Sequence, residues 1–318
     1  MKNKITEANL GMIAGKTFNG LNMNVLKYLL PLWISPLSGV TLRCVFAAIC
    51  FWIMGAFVKN EPPTTVKERF SLFLLGALAI YGFMFFYFVG LNKTTPVSSS
   101  IFSSLQPIWV FLIAVIFFKE KMGKMKVLGI VLGLGGALLC ILAQKSDDLA
   151  SDATTGNLLC LFSSIFYAVY LVVSKRLLKS AGVYTVLKYT FAGAAFSSLI
   201  VTAITGFHAP ALEAPAHWFP LALLVFMLIF PTVLSYLFIP IGLKYLKTTV
   251  VAIYGYLILV VATVVSLIVG QDRFSWSQAI AIALICVSVY LVEVAESKED
   301  VTPAGNSETP DNSPLHAQ

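Results

Sequence analysis

Residues 90–95 read Gly-Leu-Asn-Lys-Thr-Thr, and residues 242–247 read Gly-Leu-Lys-Tyr-Leu-Lys. Both stretches begin with Gly-Leu and continue into a basic residue. The same step further along the chain leads to Lys119-Glu120 from the first stretch and to Gln271-Asp272 from the second. A correspondence at constant spacing across an apolar segment predicts that the chain contains two copies of one unit.

Two more pairs of stretches match in the same order along the chain. The first of these pairs matches Asn9 with Asn157 and 27–30 with 175–178, and the second matches Arg43 with Lys188. Apolar segments often match by chance, so each pair alone is weak. Three pairs in the same order, with charged residues at equivalent places, predict that the two halves are homologous.

The composition indicates that most of the chain lies in lipid. Its residues are 58% hydrophobic and only 12% charged, and the mean hydropathy is +0.86. A bilayer core about 30 Å thick requires about 20 apolar residues per helix. Ten segments meet this need: 8–30, 36–58, 69–91, 96–118, 124–144, 156–178, 183–206, 218–241, 248–270 and 275–295.

These segments predict an all-α integral membrane protein with ten transmembrane helices in two five-helix repeats. The first repeat spans 8–144 and the second spans 156–295. The polar residues 296–318 are rich in Pro, Ser, Asn and Glu, and we expect them to form a disordered cytoplasmic tail.

The distribution of basic residues predicts the orientation in the cell (inner) membrane, because cytoplasmic loops carry more Lys and Arg than outer loops. With the N-terminus inside, fifteen basic residues lie near cytoplasmic helix ends, and Lys27, Lys93, Lys145 and Arg273 lie near outer ends. Both termini are therefore predicted to be cytoplasmic. Because five helices is an odd number, the second repeat is inverted, an arrangement typical of alternating-access transporters.

Other function classes lack their usual signatures. The net charge of +7 reflects the bias of the loops, so we expect no nucleic-acid partner. The five cysteines fall within predicted spans without a Cys-x-x-Cys pair, and we expect neither a metal nor a cofactor. An enzyme is disfavoured because His-Glu-x-x-His and Gly-x-Ser-x-Gly motifs are missing. A receptor or scaffold would require a signalling or docking domain.

Two basic residues, Arg43 and Lys188, lie within predicted spans at equivalent positions of the two repeats. A charge at this depth is costly and often has a function. One interpretation is structural, because both side chains could reach the interface or bond the carbonyls of a neighbouring broken helix. The alternative is a gate or a group that attracts anions.

Lys16 differs from this pair because its equivalent in the second repeat is Ser164. The fold therefore does not require a cation there, and the asymmetry favours a role in substrate binding or gating. Asn19 and Asn22 make the same helix polar, and a polar stripe in lipid has to face the bundle interior or a water-filled cavity. Snorkelling and an internal hydrogen bond remain the alternatives for Lys16.

Further cavity candidates carry hydroxyl or amide groups at depth in the predicted spans. The fourth span is polar in its outer half and contains Pro107, which predicts a kink, although its serines could serve helix packing instead. Tyrosines far from the interfacial belts are better candidates than those near span ends. The candidates are Ser99, Ser103, Gln106, Tyr81, Tyr167, Tyr236 and Tyr254.

The acidic residues Glu120 and Asp272 are repeat-equivalent and lie at helix ends on opposite faces. A structural ion pair or helix cap is the favoured interpretation for both, and a gate is the alternative. No carboxylate lies at mid-membrane depth, so an obvious proton carrier is missing. Facilitated export or exchange fits better, while proton coupling through a titrating Lys16 remains a hypothesis.

The sequence resembles the EamA family of the drug/metabolite transporter superfamily over about residues 8–295. The matching residues are Arg43, Gly90-Leu91, Thr94, 98–107, 119–121, Gly129 and Gly136 in the first half, and Lys188, Gly242-Leu243 and Asp272 in the second. Leu259 stands where the second repeat often carries proline, and Asp272 replaces the usual glutamate. The resemblance implies a ten-helix inverted-repeat fold with a central cavity. It also implies that the protein exports or exchanges amino acids or other small metabolites.

These observations predict export or exchange of amino acids or related carboxylates by alternating access. Uptake or exchange of an anionic or phosphorylated metabolite is the alternative, because buried cations can bind a carboxylate or a phosphate. The expected partners are a small-molecule substrate and the lipid bilayer. The chain is expected to be a monomer or a homodimer.

Overall fold

Helix follows helix along the computed structural model, which describes residues 2–30, 32–58, 61–118, 123–143, 150–178, 180–213, 218–245 and 254–301. No β-strand occurs within these ranges. The helices are α1 (Lys2–Leu29), α2 (Pro36–Phe57), α3 (Val66–Lys93), α4 (Pro96–Ser103), α5 (Gln106–Phe118), α6 (Lys124–Ala143), α7 (Ala153–Leu177), α8 (Val183–Thr205), α9 (Trp218–Leu228, Ile229–Leu234 and Ser235–Tyr245), α10 (Gly255–Val269) and α11 (Trp276–Val301).

Several helix ends follow directly from the local sequence. The side chains of Ser35 and Thr95 accept hydrogen bonds from the backbone N–H groups of Ser38 and Ser98, and each cap is followed by a proline. Such caps satisfy donors that have no partner within the helix. α10 ends at Gly270, whose φ of 75° is a left-handed conformation that suits glycine.

The fourth predicted span is broken in the middle. α4 ends at Ser103 and α5 begins at Gln106, one residue before Pro107. The proline cannot donate a backbone hydrogen bond, so the helix cannot continue unchanged through it. Beside the break, the hydroxyl and the backbone N–H of Ser104 both donate to the Ser100 carbonyl, at 2.9 and 3.0 Å. The kink predicted at Pro107 is confirmed as this break.

Two other helices contain a π-helical turn that the sequence analysis did not predict. The turns are Gly76–Ile80 in α3 and Ile229–Leu234 in α9. They occupy corresponding places under the alignment of the two halves. A π-turn widens the helix and frees backbone carbonyls, and such turns are frequent at functional sites.

Lengths and compositions of the helices identify an integral membrane protein. Six stretches of the described residues are long and apolar enough to cross a bilayer: α2, α3, α7, α8, most of α9, and Pro96–Ile113 across the break between α4 and α5. Gly255–Val269 and Trp276–Leu291 are shorter apolar helices. Large apolar side chains also cover the outer surface, including Phe57, Ile204 and Ile268. Lipid, rather than water, suits such a surface.

The most extensive helix contacts join the first half of the chain to the second. α6 packs on α11, α2 on α8, α3 on α7, and α1 on both α9 and α10. In the alignment of the two halves, α1 corresponds to α7, α2 to α8, α3 to α9, and α6 to α11. The contact α1–α9 is therefore equivalent to the contact α7–α3. The contacts α2–α8 and α6–α11 each join two equivalent helices. The helix pairs therefore obey the same correspondence as the sequence.

Glycines allow the closest approaches between these helices. A Cβ atom at Gly90 would contact the Gly156 carbonyl and Cys160, and a Cβ at Gly242 would contact Met12. Gly90 and Gly242 are repeat-equivalent, as are Cys160 and Met12. In α6, Gly129, Gly133 and Gly136 lie against α11, where the Ser288 hydroxyl donates to the Gly129 carbonyl at 2.6 Å. This stripe of small residues serves packing within one chain.

The helix bounds differ from the predicted spans mainly at the ends. α11 continues to Val301, six residues beyond the predicted end of the second repeat at 295. The tail residues 302–318 lie outside the described residues. Residues 246–253, where the ninth predicted span begins, and Glu120 also lie outside them.

Candidate substrate cleft and buried cation

A cleft opens between the C-terminal end of α7, the first turns of α8 and the second half of α9. The cleft is narrow: the centre of a water-sized sphere can occupy about 20 Å³ of it, and the empty space reaches about 360 Å³ only when the solvent at its mouth is included. Its lining combines hydroxyl groups with apolar side chains: Tyr167, Tyr170, Leu171, Ser174, Leu178, Val183, Val186, Leu187, Tyr236 and Ile239. Such a mixture is typical of small-molecule sites.

One face of α7 supplies the polar part of the lining. Tyr167, Tyr170 and Ser174 follow each other at helical spacings of three and four residues, so they share that face. The Ser174 hydroxyl donates to the Leu171 carbonyl at 3.2 Å. The two tyrosines extend deeper into the protein than Ser174, and they form the inner end of the cleft.

Aromatic rings close this inner end. The ring centroids of Tyr167 and Tyr170 are 5.9 Å apart, and those of Tyr170 and Tyr236 are 6.5 Å apart. Phe191 packs edge-on against Tyr236 at 4.9 Å, and Phe83 contacts Tyr167 at 4.7 Å. These contacts join α3, α7, α8 and α9 in one aromatic wall.

Arg43 of α2 is buried near this wall, with 2% of its surface exposed. Its Nη2 atom donates to the Pro231 carbonyl in the π-turn of α9 at 3.1 Å, and its Cζ atom is 6.0 Å from the ring centre of Phe88. Nε and Nη1 are buried without a hydrogen-bond partner in the described part of the chain. A buried guanidinium with unused donors is costly, which makes it a candidate ligand-binding group.

The guanidinium is close to the cleft. It lies within electrostatic range of the phenol groups of Tyr167 and Tyr236, which both line the cleft, and of Tyr87 on α3. The side-chain amide of Asn22 of α1 lies beside the Tyr87 hydroxyl. Asn22 is 2% exposed, and its Oδ1 atom has no hydrogen-bond partner among the described residues.

Lys188, the repeat equivalent of Arg43, has a different environment. Its Nζ atom lies 5.0 Å from the ring centre of Trp52 and 5.2 Å from that of Tyr189. Trp52 is largely exposed on the outer surface of the bundle. Cation–π contacts of this kind stabilise a lysine at the edge of an apolar surface. The two equivalent cations therefore occupy dissimilar places.

Hydrogen bonds tie the helices together at the opposite end of the bundle from the cleft mouth. Lys27 Nζ donates to the Thr94 carbonyl at 2.6 Å, and the Thr94 hydroxyl donates to Asn157 Oδ1 at 2.6 Å. Lys93 forms a 3.0 Å ion pair with Asp152. The hydrogen bond from Lys93 lowers the pKa of the Asp152 carboxyl. These contacts join α1, α3 and α7 and close this end.

Asp272 lies at the same end, in the turn between α10 and α11, and is 8% exposed. Its Oδ1 atom accepts from the Arg273 backbone N–H at 2.8 Å, and the carboxylate faces Thr95 and Val97 at the start of α4. Burial raises the pKa of Asp272, although the hydrogen bonds to the ionised form oppose this effect.

This pKa shift predicts the stability of an Asp272→Asn variant. A carboxyl group whose pKa is higher in the folded protein destabilises the fold once it ionises, so the wild type loses stability as the pH rises from the unfolded pKa through the folded pKa. Asparagine retains Oδ1 as an acceptor and carries no charge. We expect the variant to be as stable as wild type, or more stable, in thermal unfolding near pH 7.5.

The difference in unfolding temperature between variant and wild type should shrink as the pH is lowered, because the wild-type carboxyl becomes neutral. A clear loss of thermal stability in Asp272→Asn at neutral pH would show that the charge stabilises the start of α4.

The structure brings only some of the predicted site residues together. Tyr167 and Tyr236 line the cleft, Arg43 is buried near its aromatic wall, and Asn22 lies beside Tyr87. The Tyr254 hydroxyl donates to Asn9 Oδ1 at 2.9 Å, away from the cleft lining. Buried Ser99 accepts a hydrogen bond from the Cys160 thiol at 3.5 Å. Five candidates are half-buried and do not belong to the lining: Lys16, Asn19, Tyr81, Ser103 and Gln106.

The candidates drawn from the sequence did not include Tyr170, Ser174 or the apolar lining residues. Helical spacing could have identified the two polar ones, because Tyr170 and Ser174 share a face with Tyr167. Val183, Val186 and Leu187 carry no such signal, because apolar side chains in a span give no indication of whether they face a cavity or a helix.

Comparison with known proteins identifies the family. A model of the EamA-like transporter family matches residues 7–142 and again residues 154–294. Among similar proteins, "Uncharacterized transporter YyaM" of Bacillus subtilis is 29% identical over 256 residues, which cover 80% of this chain and 83% of the relative. The "Aromatic amino acid exporter YddG" of Ancylobacter novellus is 23% identical over 255 residues, which cover 78% and 86%.

A protein of known crystal structure has the same fold. It aligns with a TM-score of 0.61 over 93% of this chain and 99% of its own, at 18% sequence identity. At this identity the likeness concerns the fold alone.

Proposed function

This chain belongs to the EamA-like transporter family and is a membrane transporter of small molecules, and we propose that it exports or exchanges amino acids or related carboxylates by alternating access. The observation that carries the proposal is the cleft. It is open at one end of the bundle, and it stops at an aromatic wall with the buried cation Arg43 near it. The other end of the bundle is tied by hydrogen bonds.

The proposed orientation makes this a cytoplasm-facing conformation. With both termini on the cytoplasmic side of the cell membrane, the end of α7 and the start of α8 also lie on that side, where basic residues are abundant. A substrate could then enter the cleft from the cytoplasm. Release outside would require the tied end to open while the cleft closes.

A ten-helix inverted repeat would provide the two conformations. It is supported by the exchange of helix pairs between the halves, by the two π-turns at corresponding places, and by the family model that matches each half in turn. Related halves can exchange their arrangements about an axis in the membrane plane. We propose that the transporter is a monomer or a homodimer in the cell (inner) membrane.

The aromatic walls of the cleft favour an amino acid with an apolar part. Tyrosines form the inner lining, and aromatic rings bury large apolar groups well. The name of the relative from Ancylobacter novellus, an aromatic amino acid exporter, agrees with this choice.

Uptake or exchange of an anionic or phosphorylated metabolite is the second candidate. Two unused donors on Arg43 favour it, since guanidinium groups bind phosphate as well as carboxylate. The described lining of the cleft contains no cationic side chain, which favours a singly charged cargo over a phosphate. Direction of transport separates the two candidates.

Export from living cells tests the proposal. We expect cells that overproduce the protein to release a few amino acids or carboxylates into the medium, and the Arg43→Gln variant to release them roughly tenfold more slowly at equal membrane levels, because the buried charge beside the cleft is lost. Metabolite profiles of the medium measure the effect.

Lys188→Ala is the matched control, because Lys188 rests against Trp52 and Tyr189 instead of the cleft. Its export should equal that of wild type. Identical profiles for wild type and an empty vector would leave export unsupported and direct attention to uptake. Export that Arg43→Gln leaves unchanged at equal membrane levels would preserve the transporter and remove Arg43 from the proposed site.

A further inference from the structure

Two buried polar groups with unused hydrogen-bonding capacity lie beside Tyr87. Arg43 retains two N–H groups without partners, and Asn22 retains the acceptor Oδ1. Both side chains are 2% exposed. Water cannot freely reach groups buried to this degree, and most buried polar groups in proteins have a partner. A ligand that accepts from Arg43 and donates to Asn22 would satisfy both groups.

The charge of Arg43 also lacks a counterion. All acidic side chains of this sequence belong to loops, termini or helix ends, and Arg43 forms no salt bridge in the described part of the chain. A cation buried among apolar helices is stable only when it is paired or solvated. A substrate that carries a carboxylate would supply the opposite charge each time it binds.

The bond from Nη2 to the Pro231 carbonyl holds the guanidinium in place. This anchor leaves Nε and Nη1 available, which a planar guanidinium can direct at a carboxylate. Asn22, which also lies beside Tyr87, can accept through Oδ1 from an ammonium group, which has three donors and no acceptor. The pair thus offers donors to an anion and an acceptor to a cation.

We propose that Arg43 and Asn22 form the head-group site for an α-amino acid with an aromatic or large apolar side chain. Arg43 binds the carboxylate, Asn22 accepts from the ammonium group, and the aromatic wall of Tyr167, Tyr170 and Tyr236 receives the side chain. The inference rests on the proposed function, because it concerns the cargo of the same cleft.

The test compares phenylalanine with two analogues, each of which lacks one of its two charged groups. L-Phenylalanine has both charges, L-phenylalaninamide lacks the carboxylate, and 3-phenylpropionate lacks the ammonium group. The purified full-length protein is reconstituted in liposomes, and the uptake of each labelled probe is measured. We expect wild type to transport phenylalanine at least about tenfold faster than either analogue, since each analogue loses a charge-assisted contact.

Arg43→Gln should reduce the preference for phenylalanine over its amide to below about threefold and leave the preference over 3-phenylpropionate intact. Asn22→Leu, which is similar in size, should do the reverse. Lys188→Gln, the variant of the repeat-equivalent cation, should keep both preferences. The opposite pattern in the first two variants, or unchanged preferences in both, would overturn the assignment.

Arg43→Gln loses the bond to Pro231 and could fail to reach the membrane. Asn22→Leu and the wild-type comparison then decide, because equal transport of phenylalanine and its amide by wild type contradicts a carboxylate site. If Lys16→Gln alone removes the preference over the amide, the carboxylate site belongs to Lys16 and the inference fails.

The outcomes also separate this inference from the proposed function. Transport of organic acids without amino acids overturns the head-group site and leaves carboxylate export standing. Transport of other amino acids but neither phenylalanine nor leucine overturns the assignment of the side-chain region. A protein that moves none of these probes in either direction contradicts both proposals.

Discussion

Gly193→Val is expected to remove nearly all folded protein from the membrane, whereas Gly135→Val is expected to accumulate like wild type. Both glycines lie within long helices, α8 and α6, and both changes add the same three carbon atoms. The amount of detergent-soluble, monodisperse protein and its unfolding temperature measure the effect.

The contrast arises from what each new side chain would meet. A Cβ atom at Gly193 would overlap the Phe73 carbonyl and approach the Ala77 nitrogen at 2.8 Å, and both are backbone atoms of α3. Gly76 in the same crossing meets the backbone of Thr190 in return. Backbones cannot move aside as side chains can, so the expected cost exceeds the about 1–3 kcal/mol of ordinary overpacking.

Gly135 offers a strict control because a Cβ atom there has no neighbour within 4 Å. Valine on a lipid-facing position should cost little. Normal accumulation of Gly193→Val would mean that α3 and α8 can separate without loss of the fold.

Glu61→Ala is expected to lower the free energy of unfolding by about 2 kcal/mol, the sum of a lost helix cap and of donors left without partners. Glu61 lies in the connection between α2 and α3 and accepts from the N–H groups of Tyr184 and Thr185 at 2.7 and 2.8 Å. It also accepts from the Thr185 hydroxyl at 2.6 Å. Thermal unfolding measures the loss.

The sequence explains why α8 depends on this distant carboxylate. Its N-cap residue is Gly182, which has no side chain to bond the first N–H groups. The negative charge of Glu61 also interacts favourably with the N-terminal end of the helix. Because the first turns of α8 line the cleft mouth, the substitution should also change the transport rate.

Glu61→Gln retains one acceptor oxygen and should lose less stability than Glu61→Ala. Glu68 is the matched control, since it forms a capping box with Thr65 on its own exposed helix end. Glu68→Ala should have a smaller effect on stability and none on transport. Equal losses of stability in Glu61→Ala and Glu68→Ala would show that Glu61 does not link α8 to the connection between α2 and α3.

Much of the fold could be predicted because lipid imposes a simple rule on sequence. Spans had to be long and apolar, and the helices of the described residues follow the predicted segments closely. Pro107 revealed the break between α4 and α5. The π-turn at Gly76–Ile80 left no such mark, because it depends on the contact with α8.

The different places of Arg43 and Lys188 show a limit of reasoning from repeats. Equivalence predicts depth in the membrane, but the partner decides where the side chain points. Arg43 finds the carbonyl of Pro231, whose counterpart in α3 is Ala79. In that turn the Ser197 hydroxyl donates to the Ala77 carbonyl at 3.0 Å. A serine thus supplies a side-chain donor to the turn in α3, whereas Arg43 supplies one to the turn in α9.

The candidate site was predictable only in part. Tyr167 and Tyr236 line the cleft, because depth from the interface is a useful guide for tyrosine. Depth does not reveal rotation about the helix axis, and Tyr254 instead bonds Asn9. The roles predicted for Lys16, Asn19, Ser103 and Gln106 stay predictions.

Nearly every large helix contact joins the two halves of the chain, and this has a consequence for biosynthesis. The helices of the first half, α1 to α6, leave the ribosome before their principal neighbours exist. Until α9, α10 and α11 have been inserted, α1 and α6 have only lipid against the faces that later bury Gly15 and Gly136. The nascent first half must therefore persist in the bilayer as an open assembly, and the final packing forms only after synthesis of the last helix.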